Sequence, residues 1–337
     1  MAAAFWQAAM VDNRGKMLDR AGQDGRKGIG VKQTLARSVA ILTVTLALAA
    51  CSSSPADDQQ TSVDQTMQQL LNLDPASSDQ VRAMLANRQY QPALEAANGI
   101  LVNKPGDPEA SFFMGEALLG LNRPHEALPY YETAATADAY RAEALQGSGI
   151  ALYRTGRGDE AVGRLSEATT LDPSLWRAFN TLGAIYDHQF AWAQAETAFK
   201  SALATQPNSA MLHNNLAMSY MLQHRYEEAV PEFKQAMRLD PSLTQAQTNL
   251  RMAYAFQGRY LEALAGVPES QMPDALNNVG YAAMTRGDLD IAEAYFTRAM
   301  EISPSFNTVA AANLDQLKAI RLSQSGETEE DPTSILQ

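Results

Sequence analysis

Six alanines (Ala93, Ala127, Ala161, Ala195, Ala229 and Ala263) each stand 34 residues after the one before. A fixed period of that length means stacked copies of one small unit, each burying its apolar face against its neighbours, in place of a single globular core. The functional question therefore moves from an active site to a surface. Other residues keep the same beat. Small residues recur twelve positions before the alanines, at Gly115, Gly149, Gly183 and Ala217. Bulky ones follow four positions after, at Tyr131, Leu165, Phe199 and Phe233, with a further alanine three later at Ala134, Ala168, Ala202 and Ala236. Pro173, Pro207 and Pro241 close successive copies, as Pro105 does an earlier one.

The clearest copy, residues 176–207, reads as two short amphipathic helices. Phe179, Leu182, Gly183 and Tyr186 share one face at i, i+3, i+4 and i+7, and Ala195, Phe199 and Ala202 share another. Gly183 and Ala195 are expected to let the two helices approach closely. Pro207 cannot continue the second helix and opens the next turn. Leu182, Gly183, Tyr186, Ala195, Phe199, Ala202 and Pro207 fall on the skeleton of the tetratricopeptide repeat, which the chain resembles over about residues 74–304. The resemblance implies an all-α fold, a right-handed superhelical tetratricopeptide-repeat solenoid closed by a C-terminal capping helix.

Copies begin near residues 74, 108, 142, 176, 210, 244 and 273. Residues 78–304 are thus read as about seven repeats, the first degenerate in its first helix. The sixth is shortened: Gly266-Val267-Pro268 interrupts its second helix, and the next copy starts 29 residues on. Arg251 fills a slot that wants Gly or Ala, which points to a looser joint there. Residues 305–323 are expected to form the capping helix, and 324–337 (QSGETEEDPTSILQ) an acidic disordered tail.

Cys51 is the sole cysteine, so no intrachain disulfide can form. Before it, Ser38–Ala50 is uncharged and mostly apolar, preceded by Lys32 and Arg37. Thirteen such residues are too few to span a bilayer, which takes ~20, and match a secretory signal. Leu48-Ala49-Ala50-Cys51 resembles the bacterial lipobox, which implies that Cys51 carries the lipid and becomes the first residue of a lipoprotein. Ala47-Leu48-Ala49 could instead serve an ordinary signal peptidase. Residues 1–50 are read as the signal region, of which 1–30 fit poorly and point to a translation start further in, near Val31 or Met17, and 51–77 as a lipid-anchored flexible linker. Ser52 after the cysteine favours the outer membrane by the sorting pattern of enteric bacteria, which sets the expected location: lipid-anchored on its periplasmic face.

The chain holds 26 basic and 38 acidic residues; beyond residue 50 the balance is 19 against 35, or −16. So acidic a surface does not hold nucleic acid by counterion release, nor is it drawn to anionic lipid. His125, His188, His213 and His224 are scattered without metal-ligand spacing, and Asp187-His188 is expected to face solvent. Neither a P-loop, a Gly-x-Ser-x-Gly elbow nor an HExxH motif is present. The expected protein is a non-catalytic scaffold with no cofactor, metal or small-molecule substrate.

In tetratricopeptide repeats the concave groove is lined by the second, fifth, sixth and ninth positions of each first helix. Carried over, these positions give Arg177, Asn180 and Ala184, then Met211, Asn214, Asn215 and Met218, with Met221 nearby. They continue through Thr248, Asn249 and Met252 to Asp274, Asn277, Asn278 and Tyr281. Asparagine bonds a peptide backbone through donor and acceptor, and methionine adapts to variable apolar partners. The methionines could equally pack between repeats, and the asparagines could equally serve structure. Among secreted, lipid-anchored solenoids the chain resembles the TadD-type lipoproteins of Flp (tight-adherence) pilus systems. FNTLGAIYD (179–187), HNNLAMSY (213–220), TNLRMAYAFQGR (248–259) and NNVGYAAMTRGD (277–288), together with the lipobox and the shortened helix, carry this resemblance. It implies an envelope protein partner, a secretin or other pilus component. A general envelope adaptor for peptidoglycan enzymes or proteases, and a periplasmic holdase, are the alternatives. If Cys51 carries the lipid, Cys51→Ala abolishes labelling by a radioactive fatty acid; label that persists in the variant overturns the assignment.

Overall fold

The computed structural model describes residues 77–302 and 307–325. The signal region, Cys51, nearly all of the linker, Pro304 and residues 326–337 of the tail lie outside the described residues. Within them the chain forms helices and turns arranged as seven pairs and one final helix. The first three pairs are α1 (Ser78–Ala86) with α2 (Tyr90–Asn103), α3 (Pro108–Gly120) with α4 (Pro124–Ala134), and α5 (Asp138–Arg154) with α6 (Gly158–Leu171). Next come α7 (Trp176–His188) with α8 (Trp192–Thr205), and α9 (Ala210–Leu222) with α10 (Tyr226–Leu239). The sixth pair is α11 (Thr244–Phe256) with α12 (Tyr260–Leu264), and the seventh α13 (Met272–Arg286) with α14 (Leu289–Ile302). A 3-10 turn (Glu269–Gln271) precedes α13, and α15 (Asn307–Ser325) ends the array.

Local chemistry sets the helix ends. Ser77 and Gln80 form a reciprocal capping box at the start of α1. Asp107 caps α3 ahead of Pro108, whose fixed φ suits the first helical position. Each turn inside a pair reverses through one residue in the left-handed region. Residues 88, 122, 156, 190, 224 and 258 hold this place 34 apart, and Gly287 holds it in the seventh pair. Gly156, Gly258 and Gly287 adopt it without steric cost, whereas Arg88, Asn122, Phe190 and His224 do so at φ of 57–58°.

Packing within a pair follows one rule. The six alanines of the 34-residue series are wholly buried. A Cβ placed on Gly183 would lie 2.8 Å from the Phe199 ring, one on Gly115 2.7 Å from Tyr131, and one on Gly280 2.8 Å from Phe296. The small residue of the first helix is therefore roofed by the bulky side chain of the second, and the alanine four residues earlier completes the seat. Tyr131 reaches further: a Cβ on Gly147 of the following repeat would lie 2.3 Å from the same ring. One side chain thus sets the spacing within a repeat and between repeats.

First helices of neighbouring repeats pack on one another along the whole array, whereas successive second helices have no comparable direct packing. The row of first helices is the shorter, inner side, which makes it the concave face. The cap α15 continues that row, burying Ala310 and Leu317 against the seventh repeat. Arg321 fastens its far end to Asp290 and Glu293. Among the described residues no helix is long and apolar enough to cross a membrane.

At the fourth joint, Glu196 on α8 accepts from Arg225 at 2.6 Å, Lys200 at 2.6 Å and Tyr220 at 3.1 Å. The Arg225 hydrogen bond, opposed by burial and aided by Lys200 and Tyr220, pulls the Glu196 carboxyl from its ordinary 4.5 down to about 2. A depressed carboxyl pKa contributes stability that is fully present above 4.5 and lost as pH falls through 2. Glu196→Gln should flatten the acid limb of stability between those values relative to the parent, read by urea melts across pH. For the packing rule, Gly183→Val should cost about 1–3 kcal/mol by overpacking. Phe199→Ala removes the ring it would strike, so the double variant should be less unstable than the sum of the two singles.

Candidate partner-binding groove

The fifth position of each repeat, counted from residues 74, 108, 142, 176, 210, 244 and 273, falls on Ser78, Phe112, Gln146, Asn180, Asn214, Thr248 and Asn277. Four of these seven hydrogen-bond to the next repeat, and a fifth to the cap. Ser78 donates to Glu109 at 2.8 Å, and Gln146 accepts the Ala178 N–H of the next first helix at 3.0 Å. Asn180 accepts from Asn215 at 2.8 Å, Asn214 from Asn249 at 3.4 Å, and Asn277 from Asn313 of the cap at 2.9 Å. Phe112 instead stacks on Tyr140 of the following first helix at 5.7 Å. Thr248 stands apart: it donates to its own helix, at the Thr244 carbonyl, and sends nothing to the seventh repeat.

The candidate groove residues divide accordingly. Asn180, Asn214, Asn215 and Asn249 come together on α7, α9 and α11 as a ladder of amide bonds, while Asn277 is held by the cap. Asn214 and Asn277 are buried. Met221 and Met252 are core residues at 6 % exposure, whereas Met211 is exposed and Met218 half-buried against the core. Tyr281 is half-buried on α13. The side chain of Asn278, one residue from the ladder, makes no hydrogen bond among the described residues.

Arg177 is the basic member of the set. Its guanidinium meets Glu116 at 3.0 Å, and Glu116 also accepts the Tyr131 hydroxyl at 2.7 Å. Burial works against the Arg177 charge, but Glu116 outweighs it and holds its pKa above the ordinary value. Burial pushes the Tyr131 hydroxyl up, with Glu116 adding to the effect. Arg154 donates to the Leu119 carbonyl at 2.9 Å, satisfying the open end of the preceding first helix. Arg286 does the same for Phe256 at 2.7 Å. Asp187, expected to face solvent, is instead buried at 6 % exposure and accepts the Ser219 hydroxyl at 2.7 Å. The reason is that the next first helix covers it. His188 beside it is exposed, its ring 6.1 Å from Tyr153.

A recess opens at the sixth repeat. α12 stops at Leu264, so no bulky side chain arrives where Tyr131, Leu165, Phe199, Phe233 and Phe296 sit in other repeats. The equivalent place falls on Val267, after Gly266 has turned the chain at φ 67°. The unfilled space is a cleft of about 440 Å³ between α11 and α13, with Arg251, Thr248, Asn278 and Asp274 among its walls.

Family models described as tetratricopeptide repeat match residues 78–142, 114–175, 210–243 and 273–306. The described solenoid has the tetratricopeptide-repeat fold. Its solenoid is similar to the C-terminal part of a TPR repeat-containing protein from Cytophaga hutchinsonii, at 16 % identity and a TM-score of 0.51, over 71 % of this chain and 99 % of that one. It is also similar to a chain of the APC/C hetero-tetramer Cut9–Hcn1, at 17 % identity and a TM-score of 0.54, over 74 % of this chain and 50 % of that one. At these identities the likeness concerns the fold alone. No curated protein matches the chain.

As a tetratricopeptide solenoid, the chain is a protein-interaction scaffold. No group of three or more His, Cys, Asp or Glu that could hold a metal occurs among the described residues. Sequence reasoning missed Glu116 and Gln146 as inner-face residues, although both sit at groove positions; each has its partner about one or two repeats away, and that offset was the available signal. Asn215→Ala should cost about 0.5–1.5 kcal/mol in urea unfolding, the net worth of one hydrogen bond. Asn278→Ala should stay within about 0.5 kcal/mol of the parent, since no bond is lost.

Proposed function

We propose that this chain is an outer-membrane lipoprotein that assists assembly of an Flp (tight-adherence) pilus, holding a secretin or another pilus component through its concave face. One observation carries the reading. The lipobox at Cys51 stands ahead of a tetratricopeptide array whose sixth repeat lacks most of its second helix, α12 ending at Leu264. That combination is the pattern by which the chain resembles the TadD-type lipoproteins. The physical roles agree with it. A lipid supplies ~0.8 kcal/mol per buried methylene, and more than one chain makes the attachment stable. The acidic solenoid supplies no attraction of its own to anionic lipid, which leaves its inner face turned to a protein.

The test is crosslinking in living cells, followed by purification of the tagged chain and mass spectrometry of what accompanies it. A dominant secretin or other pilus component is expected, together with loss of surface fibres and normal cell shape on deletion. A set of peptidoglycan enzymes or proteases without any pilus protein, or altered shape with fibres intact, overturns the pilus reading in favour of an envelope adaptor. Broad binding of denatured proteins without selectivity overturns it in favour of a holdase.

A further inference from the structure

The cleft between α11 and α13 differs from the rest of the inner face in what its polar groups do. Elsewhere the fifth-position side chains of the polar repeats engage the next repeat, and the inner-face arginines are paired: Arg177 with Glu116, Arg154 with the Leu119 carbonyl. In the cleft, half-buried Arg251 makes no ion pair and no hydrogen bond among the described residues. The side chain of half-buried Asn278 on the α13 wall makes none either, and the Thr248 hydroxyl lies on the α11 wall with Arg251, bonded only within its own helix. A guanidinium that lines a cleft without a protein partner has its donors free to make charge-assisted hydrogen bonds to an incoming anion. The volume of about 440 Å³ is that of a site for a side chain with its flanking backbone, within the ~300–1,000 Å³ span of ligand pockets.

We propose that this cleft binds an acidic side chain, Asp or Glu, presented by an extended segment of a partner polypeptide. Arg251 takes the carboxylate, and Asn278 offers both a donor and an acceptor to the peptide backbone beside it. Asp274 on the lip accepts a backbone N–H and repels a doubly charged phosphate, so a single carboxylate is the better match. Overall charge works against any acidic ligand, since the chain carries a net −12. A preference for acid must therefore come from the local cation. The inference rests on the reading that the concave face takes a partner polypeptide, but not on that partner belonging to a pilus.

The probe is a fluorescein-labelled nonapeptide with a central Glu between leucines, compared with its Gln twin by fluorescence polarisation against the full chain in detergent. The Glu peptide should bind at least roughly tenfold more tightly, the scale of a hydrogen bond to a charged group. Arg251→Ala should erase the preference, Arg251→Lys should keep part of it, and Arg88→Ala, an exposed arginine of the first repeat, should leave it unchanged. Thermal melts of each variant establish folding, and Arg251→Gln substitutes if the alanine variant melts early. Equal binding of the two peptides, no binding of the Glu peptide, or a preference that survives loss of the Arg251 charge overturns the proposal. Binding that emerges only in a chain ended at Ser325 overturns the partner assignment too, because the acidic residues 326–337 would then be the occupant. If crosslinking in cells finds no pilus component while the Glu preference holds, the pilus reading fails alone.

Discussion

The array depends on a bulky side chain closing over a small one. Tyr131, Leu165, Phe199 and Phe296 each reach a position on the preceding first helix where a Cβ would lie under 3 Å away. A glycine there lets the ring sit against backbone, and the ring fixes how far apart the two helices stand. Because Tyr131 also abuts Gly147 of the next repeat, this closure propagates from unit to unit. Solenoid stability is a sum of such units and their nearest-neighbour interfaces. The same steric demand explains why the period is kept so strictly: a one-residue slip would carry the ring away from its seat.

Laid across this apolar rule is a set of polar ties on the inner face. Ser78 to Glu109, Gln146 to Ala178, Asp187 to Ser219, Asn180 to Asn215 and Asn214 to Asn249 join residues 31 to 35 positions apart. Each is close to one repeat length, so each joins matching places on neighbouring units. A buried amide or carboxylate without a partner costs more than the net worth of its bond. These ties therefore fix register between repeats more than they add stability. They also narrow what the groove can offer a partner, since an amide engaged with the next helix has less capacity left for a peptide.

The paired-helix solenoid was legible in the sequence because its cause is local and repeated: Gly183, Ala195 and Phe199 identify the closure wherever they recur. The groove was legible only as a face. Asn214 and Asn278 occupy adjacent positions in the repeat pattern, yet one is buried in a ladder and the other opens to a cleft. Residue type and position within a repeat do not distinguish these cases; the partner one repeat away does. Asp187 shows the same limit. A carboxylate near a helix end reads as solvated, and only the placement of Ser219 on the following first helix reveals it as buried. Met221 and Met252 read equally well as adaptable groove residues or as core, and the packing of the adjacent helices put them inside.

The sixth repeat ties these strands together. Gly266 turns the chain just where a bulky side chain would have closed over the Arg251 slot, and α12 ends after five residues. Without the closing ring the slot tolerates an arginine, which would overpack any other repeat. Without the ring the next first helix also begins 29 residues later instead of 34, so the fifth-position tie has no partner in register, and Thr248 turns back to its own helix. One truncation thus removes both the apolar closure and the polar tie from a single joint, while α11 and α13 still pack directly. In an array whose energy is summed over neighbours, such a joint lacks two contributions that other joints have, while the Arg286 bond to the Phe256 carbonyl still crosses it. Anything that fills the cleft replaces part of what is missing there. Binding and stiffening of the inner face then become one free-energy change, since a ligand favours the state it fits by its differential affinity for that state.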